Sequence, residues 1–203
     1  MLGYAIGDKM DKQVFIDFGC GPSMSQAIKF KENGYYVILV EKSEQDLYEN
    51  THINDIEYYK LVADEIFFFD ITDVSRRTTY LADVWNCGAV LEHVEPNQIE
   101  PFLLGIKNNC KKGSHGTIHI DLTDHFGGFD HRDNPDNYNF IKNLYEEKEW
   151  YHIIEKHFSI QKWSKNFKAE ALKNGYFTMV GPKKKFQILN SGDCIGVRFN
   201  VFV

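Results

Sequence analysis

The apolar positions of this chain come in short runs that alternate with helically spaced stretches. The run Val14-Phe15-Ile16-Asp17-Phe18, broken only by Asp17, has the length and the β-branched and aromatic content of a buried strand. Gly19-Cys20-Gly21-Pro22-Ser23 follows it, a glycine turn with a proline and a hydroxyl suited to a helix start. Met24, Ala27 and Ile28 then fall at helical spacing and predict a helix over 23–33, stopped by Gly34. The same alternation continues, with strands predicted over 35–40, 66–69, 84–87 and 116–122. Ser43 and Asp46 form a capping box for a helix after the second strand. Pro96 opens another helix, striped by Ile99, Phe102, Leu103 and Ile106 and stopped by Gly113 after Lys111-Lys112.

The carboxyl-terminal part is less regular. A helix is expected over 143–156, a sixth strand over 158–163 and paired strands over 176–180 and 186–189. The closing run 195–203 alternates apolar and polar residues, as a strand with one covered face does. No repeat, linker or low-complexity segment divides the chain, so 1–203 reads as a single domain.

Composition narrows the function classes. With 203 residues, 43% hydrophobic and 15% aromatic, the chain can bury a large core. A net charge of −6 argues against a dedicated nucleic-acid binder, because phosphate neutralisation needs a basic face. Arg76-Arg77 and Lys183-Lys184-Lys185 are local exceptions, read as solvated runs with a substrate phosphate or carboxylate as the functional alternative. No apolar run approaches the roughly 20 residues that cross a bilayer, and Met1-Leu2-Gly3-Tyr4 is not a signal pattern. Cys20, Cys87, Cys110 and Cys194 are scattered without a C-x-x-C pair, as reduced thiols are, so a cytoplasmic location is expected.

The chemistry is concentrated at the ends of the predicted strands. A glycine turn between strand and helix can offer main-chain amides and a helix dipole to a ligand at the carboxyl end of a sheet. The dinucleotide fingerprint G-x-G-x-x-G requires a glycine at position 24, which is Met24, and no Gly-Lys-Ser/Thr follows for a P-loop. Glu41, at the end of the second strand, is placed to accept hydrogen bonds from both hydroxyls of a ribose. That geometry suits an adenosine ligand without separating NAD from S-adenosylmethionine.

Asp17-x-Gly19-x-Gly21 resembles motif I of the class I, Rossmann-like methyltransferases that use S-adenosylmethionine. Val90-Leu91-Glu92-His93-Val94 resembles the "VLEHV" segment after strand four of many of them, and the likeness extends over about residues 13 to 125. It implies a three-layer α/β/α sandwich around a seven-stranded, mostly parallel sheet with an antiparallel strand near the carboxyl terminus. It also implies a cofactor site of Asp17, Gly19, Cys20, Gly21, Glu41, Lys42, Asp70, Ile71, Asn86 and Gly88. In that set Asp70 would meet the adenine amino group and Ile71 would pack on the ring. A turn-forming aspartate is the alternative for Asp70.

The expected reaction is methyl transfer to a small polar acceptor, most simply a hydroxyl, leaving S-adenosylhomocysteine. The segment 123–150, rich in histidine, carboxylate and glycine, is expected to cover the methyl group and hold the acceptor. His125 is the first candidate base, with Asp121 or Asp124 orienting it and His93 second, since an imidazole beside a carboxylate titrates near neutrality. Relatives that hold a divalent ion carry a further glutamate where this chain has Ala89, so no metal is expected, although Glu92, His93 and His125 match part of the set. Asp121-Leu122-Thr123-Asp124-His125-Phe126 also resembles methyltransferases of bacterial surface-polysaccharide and capsule synthesis, which implies a sugar-type acceptor. Rivals are an amine acceptor and a cofactor-binding subunit without activity. With so little chain before the first strand, cover for the site would come from later segments or from a partner subunit, which admits a homodimer.

Overall fold

A computed structural model describes residues 11–20, 24–44, 56–122, 145, 147–167 and 194–203. Seven strands form one sheet: β1 (Val14–Phe18), β2 (Tyr36–Glu41), β3 (Glu65–Phe68), β4 (Ala82–Gly88), β5 (Cys110–Asp121), β6 (Ser159–Phe167) and β7 (Cys194–Phe202). Their order is β3-β2-β1-β4-β5-β7-β6. The pairs from β3 to β5 are parallel, and β7 runs antiparallel to both β5 and β6. The expected mixed sheet is therefore present. Its antiparallel strand lies between β5 and β6 and not at an edge, which the alternating pattern of 195–203 could not decide.

Every residue of β1 is buried, which is why that strand reads as a nearly continuous apolar run. Its side chains divide between two cores. Val14, Ile16 and Phe18 join Ile38 and Val40 of β2 in one cluster, together with residues of α3 (Ile99–Asn108) and α4 (Glu147–Glu155). Phe15, Val37 and Leu39 face the other way, toward α1 (Ser25–Glu32) and α2 (Ile56–Val62). The period of two along β1 and β2 thus builds three layers, with helices on both faces. The α3 stripe of Ile99, Phe102, Leu103 and Ile106 is buried as its spacing predicts. Gly105 on the same helix lies so close to the chain at Ile71 that a Cβ would overlap the Ile71 carbonyl oxygen.

Several boundaries differ from the sequence reading. The turn Leu91–His93 and the residues Pro96–Gln98 are 3-10 helical, and α3 proper begins at Ile99. Lys111-Lys112-Gly113 is not a helix end: α3 finishes at Asn108 and β5 has already begun at Cys110. The β4–β5 register shifts between Ala82 and Val84, and Gly113, at φ 81°, lies in that irregular stretch. A basic pair followed by glycine is a helix-stop signal that a strand bulge also satisfies. The helix capped by Ser43, the paired strands over 176–180 and 186–189, and most of 123–150 lie outside the described residues. Among the described residues no helix is long and apolar enough to cross a membrane.

Candidate active site at the carboxyl ends of the strands

From β1 the chain builds outward to β2 and β3 on one side, then returns to add β4 and β5 on the other. The gap between the carboxyl ends of β1 and β4 is therefore the switch point at which open α/β sheets bind ligands. Asp17 and Asn86 are direct partners across it. The Asn86 side-chain amide donates to Asp17 Oδ1 at 2.8 Å. Asp17 is only 3% exposed. Burial pushes its carboxyl up to about 6, against the lowering effect of the Asn86 hydrogen bond and with a further upward push from the charge of Glu41.

The turn after β1 is shaped by Gly19. Its φ is 68°, and a Cβ there would sit 2.5 Å from Val90 Cγ2, so the residue is fixed both by conformation and by the side chain packed on it. The Gly19 N–H donates to the Val40 carbonyl at 2.8 Å. That amide therefore ties β1 to β2 and is not one of those the turn could offer a ligand. Cys20 is buried in the core beside α1, and Gly21 lies outside the described residues. Two residues without glycine's freedom also adopt positive φ around this gap, Met24 at 39° and Ala89 at 56°. Met24, left-handed at φ 39° and ψ 19°, caps the start of α1. Strained backbone of this kind gathers at functional sites.

Glu41 ends β2, half buried, and the Lys42 N–H donates to its Oε1 at 3.0 Å. Asp70 follows β3. The Thr72 N–H and hydroxyl both donate to Asp70 Oδ1, at 2.9 and 2.7 Å, and Lys42 Nζ lies 3.7 Å from Oδ2. The turn-forming use of Asp70 is thus present, on one of its two oxygens. Ile71 is 6% exposed and packs in the core cluster on the side of α3.

Beyond β4, Gly88 pairs with His119, and the Ala89 N–H donates to the His119 carbonyl at 2.8 Å. The Leu91–His93 turn is anchored by Leu91, which is fully buried. Glu92 is buried as well, and its Oε1 accepts the Asp121 N–H at 3.1 Å. His93 and Asp121 are both half buried at this end of the sheet. The remaining base candidates, His125 and Asp124, lie outside the described residues.

Cys87 reports on the whole group. Its thiol is held well above the usual value, first by burial and then by the charges of Glu92, Asp17 and Glu41. The negative charges of three residues, on β1, on β2 and in the turn after β4, thus act on this buried thiol in addition to its desolvation, and they keep it protonated. Glu41 was expected from its place at the end of the second strand, and Asp17, Asp70 and Asn86 from the methyltransferase resemblance. Sequence reasoning did not foresee the Glu92–Asp121 link or the packing of Val90 on Gly19, since both depend on how β4 lies against its neighbours. Among the described residues, no three histidine, cysteine or acidic side chains are grouped so as to hold a metal ion.

No protein-family model matches the chain, and no curated protein matches it in sequence. Solved structures do match in shape. A S-adenosylmethionine-dependent methyltransferase from Archaeoglobus fulgidus superposes with a TM-score of 0.60 at 15% identity, over 95% of this chain and 87% of its own. The 1,6-didemethyltoxoflavin-N1-methyltransferase of Burkholderia thailandensis, solved with 1,6-didemethyltoxoflavin and S-adenosylhomocysteine, gives 0.58 at 15% identity over 94% and 71%. TehB from Haemophilus influenzae gives 0.55 at 12% identity over 95% of this chain, which spans only 57% of TehB. Likeness at these identities establishes a shared fold, the Rossmann-like sheet of these methyltransferases.

Proposed function

We propose that the chain is a methyltransferase that moves a methyl group from S-adenosylmethionine to a small polar acceptor. The observation that carries this reading is the arrangement at the β1–β4 switch point: Asp17 hydrogen-bonded to Asn86, with Glu41 on the neighbouring strand. The neighbours' shared fold and the motif I and post-β4 resemblances support the same reading. In it, Glu41 accepts the ribose hydroxyls, and Asp70, with one oxygen on its own turn, turns the other toward the adenine amino group. Asp17 and Asn86 form the floor beneath the amino-acid end of the cofactor. A buried carboxyl with a raised pKa suits this place, because the sulfonium and ammonium charges of the ligand favour its ionised form. Lys42, Cys20, Gly21, Ile71 and Gly88 complete the proposed cofactor set by position.

The sulfonium methyl is already activated, so the protein has to align the acceptor and, for a hydroxyl, take its proton. His125 is the proposed base, with Asp121 or Asp124 orienting it and His93 as the alternative. The sugar-type hydroxyl acceptor rests on the 121–126 resemblance alone. An amine acceptor is the rival, and the Burkholderia neighbour is named for methylation at nitrogen. Incubation with methyl-labelled cofactor and a panel of polyols, sugars, phenols and amines tests the reading. Label is expected in a hydroxyl product, with loss in His125→Ala. A labelled amine alone replaces the acceptor assignment, and tight cofactor binding with no labelled product anywhere favours the inactive-subunit rival.

A further inference from the structure

We propose that Glu92 is a positioning residue that ties Asp121 to the Leu91–His93 turn by standing in for the next backbone acceptor of β4. The backbone ladder between β4 and β5 ends at the pair Gly88 and His119, with one more bond from the Ala89 N–H to the His119 carbonyl. In an extended strand, the carbonyl of one residue and the N–H two residues on point to the same side. The Asp121 N–H therefore faces the space beyond the end of β4, where the chain has turned away through Ala89 at φ 56°. The Glu92 carboxylate fills that position and accepts the Asp121 N–H at 3.1 Å.

The link is rigid at both ends. On one side Glu92 belongs to a closed turn, with the His93 N–H on the Val90 carbonyl at 2.9 Å and Leu91 buried beneath it. On the other, Asp121 pairs with Gly196 of β7 and Ile120 with Val197, so the end of β5 cannot shift alone. At 1% exposure Glu92 has little water with which to exchange this bond. A buried carboxylate that binds a main-chain amide is costly to disturb, because the amide loses a charged acceptor and no solvent replaces it. The consequence is that the end of β5 bearing Asp121 is held to the turn bearing His93, the two described residues proposed to serve the acceptor. This role rests on the methyl-transfer reading only in naming that acceptor. The link itself is independent of it.

The test compares wild type with Glu92→Gln and Glu92→Ala by amide hydrogen exchange and by calorimetric titration with S-adenosylhomocysteine. Glutamine keeps a carbonyl oxygen for the Asp121 N–H, and alanine does not. In Glu92→Ala the Asp121 amide is expected to exchange roughly 10- to 100-fold faster, as loss of a charge-assisted hydrogen bond implies. Core amides at Ile16 and Ile38 and the titration curve should be unchanged, and Glu92→Gln, which keeps an uncharged acceptor, should exchange at Asp121 at a rate between those of wild type and Glu92→Ala. With the acceptor found in the labelling panel, Glu92→Ala should lower kcat and leave the cofactor KM alone. Undisturbed Asp121 exchange in Glu92→Ala overturns the link, and so does uniform acceleration across the core, which would mark a general structural role. A normal kcat with Asp121 deprotected overturns the positioning role. If wild type gives no titration heat, the functional reading fails while the Asp121 comparison still decides what Glu92 holds.

Discussion

Asp17 is the residue on which the site's electrostatics turn. Its ordinary pKa of 3.8 rises to about 6 in the folded chain, chiefly because burial penalises the charged form. Below pH 3.8 the group is protonated folded and unfolded alike and adds no pH dependence. Between the two values the folded state keeps a proton that the unfolded state has released, so stability falls as pH rises. Above the folded pKa the loss levels off at about 3 kcal/mol for a two-unit shift. Asp17→Asn removes this slope. Denaturant melts at a series of pH values are expected to find the variant close to wild type near pH 4 and increasingly more stable up to pH 6.5. Parallel curves would show that Asp17 does not carry the strain of the site. At this scale the sequence was informative about position and silent about environment. It placed Asp17, Glu41 and Asp70 at strand ends, but that Ile71 is buried and that Asp70 closes its own turn follow from tertiary packing.

Strand and turn depend on each other where β1 meets β4. Gly19 is needed for its φ of 68° and for the approach of Val90, and its N–H holds β2 through Val40. Gly19→Ala adds left-handed strain of about 1–2 kcal/mol and an overpacking cost of about 1–3 kcal/mol. Adding Val90→Ala opens the space and should restore the overpacking part only, which equilibrium melting of the single and double variants can measure. Equal stabilities for the two variants would mean that Val90 does not pack on the turn. Elements with a strong period, β1, β2 and the buried stripe of α3, were legible in the sequence because burial on a fixed face dictates the spacing. The start of β5 was not, since Lys111-Lys112-Gly113 satisfies a helix stop and a bulge equally well, and tertiary pairing with β4 and β7 made the choice.

Over the whole molecule, the order β3-β2-β1-β4-β5-β7-β6 leaves one switch point, and the hydrogen-bonded pair Asp17 and Asn86 lies at it, with Glu41 at the end of the neighbouring strand. Pairing order is a long-range property, so the sequence could supply the strands but not the place of β7 inside the sheet. The same limit applied to the acceptor side, where the bond between Glu92 and Asp121 joins residues far apart along the chain. The account rests on this end of the sheet binding an adenosyl sulfonium compound, and calorimetric titration of the folded protein tests that most directly. Saturable heat is expected with S-adenosylmethionine and S-adenosylhomocysteine, and a roughly 10- to 100-fold weaker affinity in Glu41→Ala, as loss of hydrogen bonds to a charged group implies. Absence of heat with either compound, together with binding of a nicotinamide dinucleotide, would contradict it.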